Sequence, residues 1–181
     1  MSGHHSARSE TVEWLTPKEL IDALGPFDLD PCAPAERPWP TAKVHYALPQ
    51  DGLVKKWRGL VWLNPPYNGN QWEWLAKLAR HGEGLALIFA RTETRGFVDT
   101  VWRHADALLF LSGRLHFCNA VGRKARMDAG APSVLVAYGR EACARLVASD
   151  LPGAFVLLWH NQPLRQARAI GQQELLGGVE R

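Results

Sequence analysis

Short continuous apolar runs alternate along this chain with longer stretches in which apolar residues recur every three or four positions. This is the alternation of buried strands with one-sided helices. The runs at 59–63, 84–90, 107–111, 133–138 and 154–159 predict strands. Helical recurrence predicts helices over 71–81, with Trp72, Leu75, Leu78 and Ala79 on one face, over 94–104, with Phe97, Val101 and Trp102 inward, and over 142–148. A further helix opens at Thr16-Pro17, with Thr16 as N-cap, Pro17 first, Glu19 third, a stripe of Leu20, Ile21 and Leu24, and Gly25-Pro26 as the stop. Residues 27–30 read as a short strand ending at Pro31, 42–48 as a second, and 114–117 as the start of a hairpin. The stretch 31–40 holds four prolines and reads as loop.

Strands alternating with amphipathic helices imply a mainly parallel sheet, joined by right-handed crossovers and covered by helices on both faces. The 181 residues fit one α/β domain, read over 11–160, with a disordered tail at 1–10 and a polar tail or frayed helix at 161–181. A composition 46% hydrophobic and 22% charged excludes extended disorder, collagen and coiled coil. No run approaches the ~18 apolar residues of a membrane span, and the first residues lack the apolar stretch of a secretory signal. Cys32, Cys118 and Cys143 are odd in number and widely spaced, which gives no disulfide framework and points to a reducing cytoplasm. The net charge of +3 permits nucleic-acid binding without requiring it.

In such sheets ligands bind beyond the carboxyl ends of strands, where the strand order reverses. Two strand ends carry conspicuous polar punctuation: Asp28-Leu29-Asp30-Pro31-Cys32-Ala33, and Asn64-Pro65-Pro66-Tyr67. The second corner is stiff, because neither proline donates a backbone hydrogen bond and both fix φ. Pro65 also drives Asn64 toward an extended backbone, so that its amide projects from the strand end. An exocyclic amine on a heteroaromatic ring has its lone pair delocalised. It becomes nucleophilic when its hydrogens are held by acceptors, and an asparagine oxygen beside a proline carbonyl supplies two. A tyrosine ring can stack on an extruded base. Positioning and fixed dipoles carry such chemistry, with no metal or strong base. As a bare motif the corner also reads as a rigid turn; the strand before it, the helix after it and the acidic strand end upstream favour the site.

With these motifs in hand the chain resembles the phage-type DNA N-6-adenine methyltransferases, small single-domain enzymes that use S-adenosylmethionine. The resemblance covers about two thirds of the chain. It rests on W-L-T-P (14–17), F-D-L-D-P-C-A (27–33), D-G-L-V-K-K-W (51–57), V-W-L-N-P-P-Y (61–67), A-R-T-E-T-R (90–95), G-R-L-H-F (113–117) and A-P-S-V-L-V (131–136), in that order. It implies a reduced Rossmann-like methyltransferase sheet and methyl transfer to the N-6 amine of adenine in DNA, taken double-stranded with the base flipped out. It implies Asn64, Pro65, Pro66 and Tyr67 as the catalytic motif. It places Asp28, Asp30, Pro31, Cys32 and Ala33 along S-adenosylmethionine, Trp14, Thr16 and Pro17 at its methionine end, and Asp51 near its adenine. A phage or prophage origin and a bacterial host cytoplasm follow from the same resemblance.

The chain departs from broader methyltransferase practice in having no G-x-G after the first strand; Ala33 stands where a small residue is needed. The span between the acidic strand end and the catalytic corner is short, which leaves open which Asp meets the ribose. Asp28 and Asp30 also read as turn caps. Arg91 and Arg95 flank a strand end, where Thr92 or Thr94 reads as an N-cap and the arginines as phosphate ligands. Arg114, Arg123, Lys124 and Arg126 bracket a Gly/Asn-rich loop that reads as solvated surface or as a DNA-backbone contact. Cys32 reads as a small packing residue, and His45, His81, His104, His116 and His160 as structural or surface groups. No His, Cys or carboxylate spacing suggests a metal. Other acceptors (cytosine N-4, protein glutamine) and a non-catalytic nucleic-acid-binding relic are the alternatives.

Overall fold

Among the described residues seven strands form one sheet: β1 (Leu29–Asp30), β2 (Val44–His45), β3 (Val61–Leu63), β4 (Gly84–Phe89), β5 (Ala107–Leu111), β6 (Ser133–Tyr138) and β7 (Gly153–Leu157). Their order across the sheet is β2-β1-β3-β4-β6-β5-β7. The computed structural model describes residues 15–67, 69–119, 121–125 and 128–158. Trp14, Arg126, His160 and both expected tails lie outside the described residues.

The sheet is mixed, where a mainly parallel one is expected from sequence. β2, β1, β3 and β4 pair in parallel, with Leu29 opposite both Val44 and Val61, and Val61 opposite Gly84. β6 then inserts antiparallel between β4 and β5, and β7 pairs antiparallel with β5. The cause lies in the connection. A parallel return needs a crossover, usually a helix, and the described part of 112–132 contains none. It doubles back on itself instead: the Asn119 amide donates to the Arg123 carbonyl, Ala125 to Phe117 and Ala129 to Leu115. The expected hairpin at 114–117 is therefore a paired excursion without a regular strand.

Alternation along the strands divides the core in two. Trp62, Leu85, Leu87, Leu109, Leu135 and Ala137 face one side, under α1 (Lys18–Leu24) and α4 (Arg140–Ala148). Val61, Leu63, Ala86, Ile88, Leu108, Val134 and Val136 face the other. They lie under Trp74, Leu75 and Leu78 of α2 (Gln71–His81) and under Phe97 and Val101. α2 has the expected bounds, but its inner face is centred on Trp74, Leu75 and Leu78, with the expected Trp72 and Ala79 only half-buried at its edges; it stops at Gly82, whose φ of 81° is the left-handed cap that glycine favours.

The expected helix at 94–104 is α3 (Arg95–Phe97) followed by a π-helical turn, Val98–Trp102. Two expected N-caps differ as well. Pro17, not Thr16, precedes α1, and its carbonyl accepts the Leu20 and Ile21 amides. Thr94 does precede α3, but its hydroxyl donates to the Arg91 carbonyl at 2.8 Å and caps no amide.

Because β2 lies outside β1 while β4 lies outside β3, the strand order reverses between β1 and β3. The ends of those two strands are Asp30 and Leu63-Asn64. Both polar corners of the sequence therefore meet at the one place where such sheets present ligands.

Candidate active site

The first corner is built around Asp30, which is 3% exposed. Its carboxylate accepts the Thr41 hydroxyl on one oxygen and the Cys32 amide, at 3.2 Å, on the other. Burial pushes its carboxyl up to about 6, against the pull of those two bonds and of Arg37. The Asp30 carbonyl accepts the Tyr46 amide and the Tyr46 carbonyl accepts the amide of buried Ala33, so the corner is laced to the segment after β2. The Cys32 thiol turns the other way and donates to the main-chain carbonyl of Asn64 at 3.2 Å. Burial and the neighbouring Asp30 charge hold that thiol well above its usual range.

The second corner leaves β3. Asn64 is half-buried, Pro65 buried, and Pro66 and Tyr67 exposed at their outer surfaces. The Tyr67 hydroxyl turns inward, donating to the Leu87 carbonyl at 3.1 Å and lying 3.4 Å from Asn64 Oδ1. Burial of that hydroxyl raises it far above the usual phenol range, so it stays a neutral donor. One face of the ring stacks on Phe89 at 4.4 Å, and its flank meets the edge of Phe117. The hydroxyl has one proton, so it is shared between the two acceptors, with the closer Leu87 carbonyl taking the larger part and Asn64 Oδ1 the smaller. An amide oxygen has two lone pairs, so the approach of Tyr67 leaves one for another donor.

A third segment closes on the first corner. At Gly52 a Cβ would lie 1.8 Å from the Pro31 carbonyl, so glycine alone permits this approach. The Trp57 indole donates to the Gly52 carbonyl at 2.8 Å. Lys77 of α2 donates to the carbonyls of Gly52, Leu53 and Lys55, and its ammonium sits 4.9 Å over the Trp57 ring. Desolvation lowers its pKa from the usual lysine value. Neither Lys77 nor Trp57 stands out in the sequence as a site residue; the available signal is a lysine beside Trp74 and Leu78 on α2. Asp51 is exposed, accepts the Leu53 amide, and borders an open depression of about 420 Å³ with Pro49, Gln50, Val54 and Lys55. Its rim residue Asp51 precedes Gly52 in the chain, which presses on Pro31.

The remaining sequence candidates divide. Asp28 precedes β1 and binds Lys43 at 2.8 Å and the Leu60 amide at 2.9 Å. The Lys43 bond holds its carboxyl low, and the residue ties β1 to β3 at the strand end opposite the Asp30 corner. Leu15 exchanges main-chain hydrogen bonds with Cys118, which anchors Thr16 and Pro17 to the excursion carrying Phe117. Arg91 is exposed just past β4, and Arg95 is exposed and paired with Asp99. Arg114 braces the excursion by donating to the Ala129 carbonyl at 3.1 Å. Arg123 and Lys124 are exposed at its turn, which is shaped by Asn119 Oδ1 accepting the Val121 and Arg123 amides. At Gly122, φ is 79° and a Cβ would press on Pro38 and Trp39. The excursion therefore spans from Tyr67 to the proline-rich loop, with its basic side chains outward. Among the described residues no cluster of His, Cys, Asp and Glu is able to hold a metal ion, and no helix is long and apolar enough to cross a membrane.

Against known proteins, no curated protein and no solved structure matches. The model of one family, described as DNA N-6-adenine-methyltransferase (Dam), matches residues 3–147.

Proposed function

The chain belongs to the DNA N-6-adenine-methyltransferase family, and from that premise we propose that it moves a methyl group from S-adenosylmethionine to the N-6 amine of adenine in double-stranded DNA. The observation that carries this reading is the meeting of the two corners at the reversal of strand order, joined by the Cys32–Asn64 hydrogen bond. S-adenosylmethionine supplies the methyl group from a sulfonium. The group that would face such a cation is the buried carboxyl of Asp30, with the depression beside Asp51 for the nucleoside part.

The chain's own residues do the rest. Asn64 Oδ1 and the Pro65 carbonyl accept the two amine hydrogens and return lone-pair density to the nitrogen. With a methyl sulfonium held close by, that lone pair would form the new N–C bond as the C–S pair leaves with sulfur. The methylated amine then loses its proton to water, so no general base is needed. Tyr67 holds the Asn64 oxygen in place and offers the ring face opposite Phe89 to an extruded adenine. The exposed Arg91, Arg95, Arg123 and Lys124 supply backbone phosphate contacts, with Arg114 bracing the excursion.

Labelled S-adenosylmethionine, mixed DNA and nucleoside mass spectrometry test this. N-6-methyladenine is expected from the wild type. Asn64→Ala is expected to keep the fold and cofactor binding and lose most transfer. Label on cytosine or on protein, or full activity in Asn64→Ala, would sink the reading.

A further inference from the structure

The hydrogen bonds around Asp30 continue past Thr41. The Thr41 and Ala42 amides both donate to Nε2 of His45, at 3.1 and 3.2 Å. A ring nitrogen that accepts main-chain N–H groups is unprotonated, which puts the imidazole proton on Nδ1. Thr41 is buried, and its hydroxyl donates to Asp30 Oδ2. Asp30 Oδ1 accepts the Cys32 amide, and the Cys32 thiol donates to Asn64. Hydrogen bonds and the chain between them thus run from the outermost strand, β2, to the Asn-Pro-Pro-Tyr corner.

We infer that His45 is a positioning residue for methyl transfer: by accepting two amides it fixes the turn from which Thr41 sets the Asp30 carboxylate, and through Cys32 it holds the Asn64 corner in register. This rests on the reading of the two corners as the seat of cofactor and adenine. The ring touches neither reactant and acts through the backbone it holds.

The charged groups around the imidazole are Arg37, from the proline-rich loop, and Asp30, from β1 across Thr41. Partial burial and Arg37 hold His45 below its usual range, so it is a neutral acceptor at pH 7. In mild acid Nε2 gains a proton and loses its lone pair. Both amides then face a donor, and the 41–42 turn lets go of Asp30.

Glutamine at position 45 presents an acceptor that does not titrate, which separates placement from mere bulk. The test compares wild type, His45→Gln and His45→Ala between about pH 5 and 8. S-adenosylmethionine affinity is read by calorimetry, turnover on DNA by label transfer, and protection of the Thr41 and Ala42 amides by hydrogen exchange. At pH 8, His45→Gln is expected to match the wild type, while His45→Ala is expected to bind the cofactor about tenfold more weakly, the scale of an ordinary hydrogen bond or two. As pH falls, wild-type affinity and 41–42 protection should drop while His45→Gln holds both better. Asp30 titrates in all three proteins, so only the difference between profiles reports on His45.

Parallel profiles in wild type and His45→Gln, or wild-type affinity in His45→Ala, would overturn the inference while leaving the methyltransferase reading standing. Should His45→Ala not fold, the first comparison decides. A wild type that binds no S-adenosylmethionine at any pH would remove both, and the exchange data would show whether the 41–42 turn still follows His45.

Discussion

The Cys32 thiol donates to the main-chain carbonyl of Asn64 across 3.2 Å, joining the end of β1 to the end of β3. Cysteine here is more than small: it is a donor aimed at the carbonyl next to the proposed amine acceptor. Cys32→Ala removes that donor at a cost of about 1 kcal/mol, and Cys32→Ser keeps one. Turnover on DNA is expected to fall roughly fivefold in the alanine variant and less in the serine variant. Burial and Asp30 keep the thiol protonated, so iodoacetamide should label Cys32 in the native protein far more slowly than in urea. Fast native labelling would show the thiol free of Asn64.

Tyr67 has two separable parts. Tyr67→Phe keeps the stack on Phe89 and loses the donor to Leu87 and Asn64. It is expected to bind S-adenosylmethionine normally and to transfer methyl about tenfold more slowly, since one hydrogen bond of about 1.4 kcal/mol is a factor of ten in rate. Tyr67→Ala should be slower still. Single-turnover label transfer separates the two, and equal rates for both variants would mean the hydroxyl has no part in orienting Asn64.

Periodicity made α2, β5 and β6 legible to the residue, because long one-sided or continuous apolar patterns report burial directly. It carries no strand direction. Val134, Leu135 and Val136 read alike in a parallel or an antiparallel ladder, and the informative feature was the missing helical pattern between Leu111 and Ser133. The candidate corner at Asn64–Tyr67 was legible as a stiff polar bend at a strand end because its polar groups and fixed backbone lie in one short segment. Contacts made between distant segments were not legible. Nothing local marks Lys77 as the clasp of residues 52–55, His45 as an acceptor for Thr41, or Asp28 as a partner of Lys43.

Gly52 tests whether the Asp51 segment is pressed onto the first corner. A methyl group there would meet the Pro31 carbonyl and Trp74, whereas at Gly130 nothing lies within 4 Å. Gly52→Ala is expected to destabilise the fold by about 2 kcal/mol through overpacking and to weaken S-adenosylmethionine binding. Gly130→Ala should do neither. Thermal unfolding and calorimetry read both effects, and a neutral Gly52→Ala would detach Asp51 from the cofactor.

Arg123 and Lys124 bear on the nucleic acid through charge alone. Removing both is expected to raise KM for DNA with kcat unchanged, and to reduce the slope of log affinity against log salt by about two, near one for each phosphate no longer neutralised. Salt titration of DNA binding measures this. An unchanged slope would assign the excursion's turn to solvent.

Asp30 gives a pH signature with a definite sign. Its carboxyl is raised from 3.8 to about 6 by burial, so the folded state favours the protonated form. The stability this group contributes is complete below pH 4, declines between about 4 and 6, and is gone above 6, a swing of about 3 kcal/mol. His45 acts oppositely, because its lowered pKa favours the neutral ring and its contribution fades as pH falls. The wild-type curve alone therefore mixes the two. Asp30→Asn keeps the shape and a polar partner for Cys32 and Thr41 but cannot ionise, and subtracting its stability from the wild type's removes the His45 contribution apart from its coupling to Asp30. Urea unfolding from pH 4.5 to 7.5 should show Asp30→Asn gaining on the wild type as pH rises through this window, while its methyl transfer falls. A constant difference would mean the carboxyl is already ionised throughout the window and sits in a wetter corner than the bonds from Thr41 and Cys32 describe.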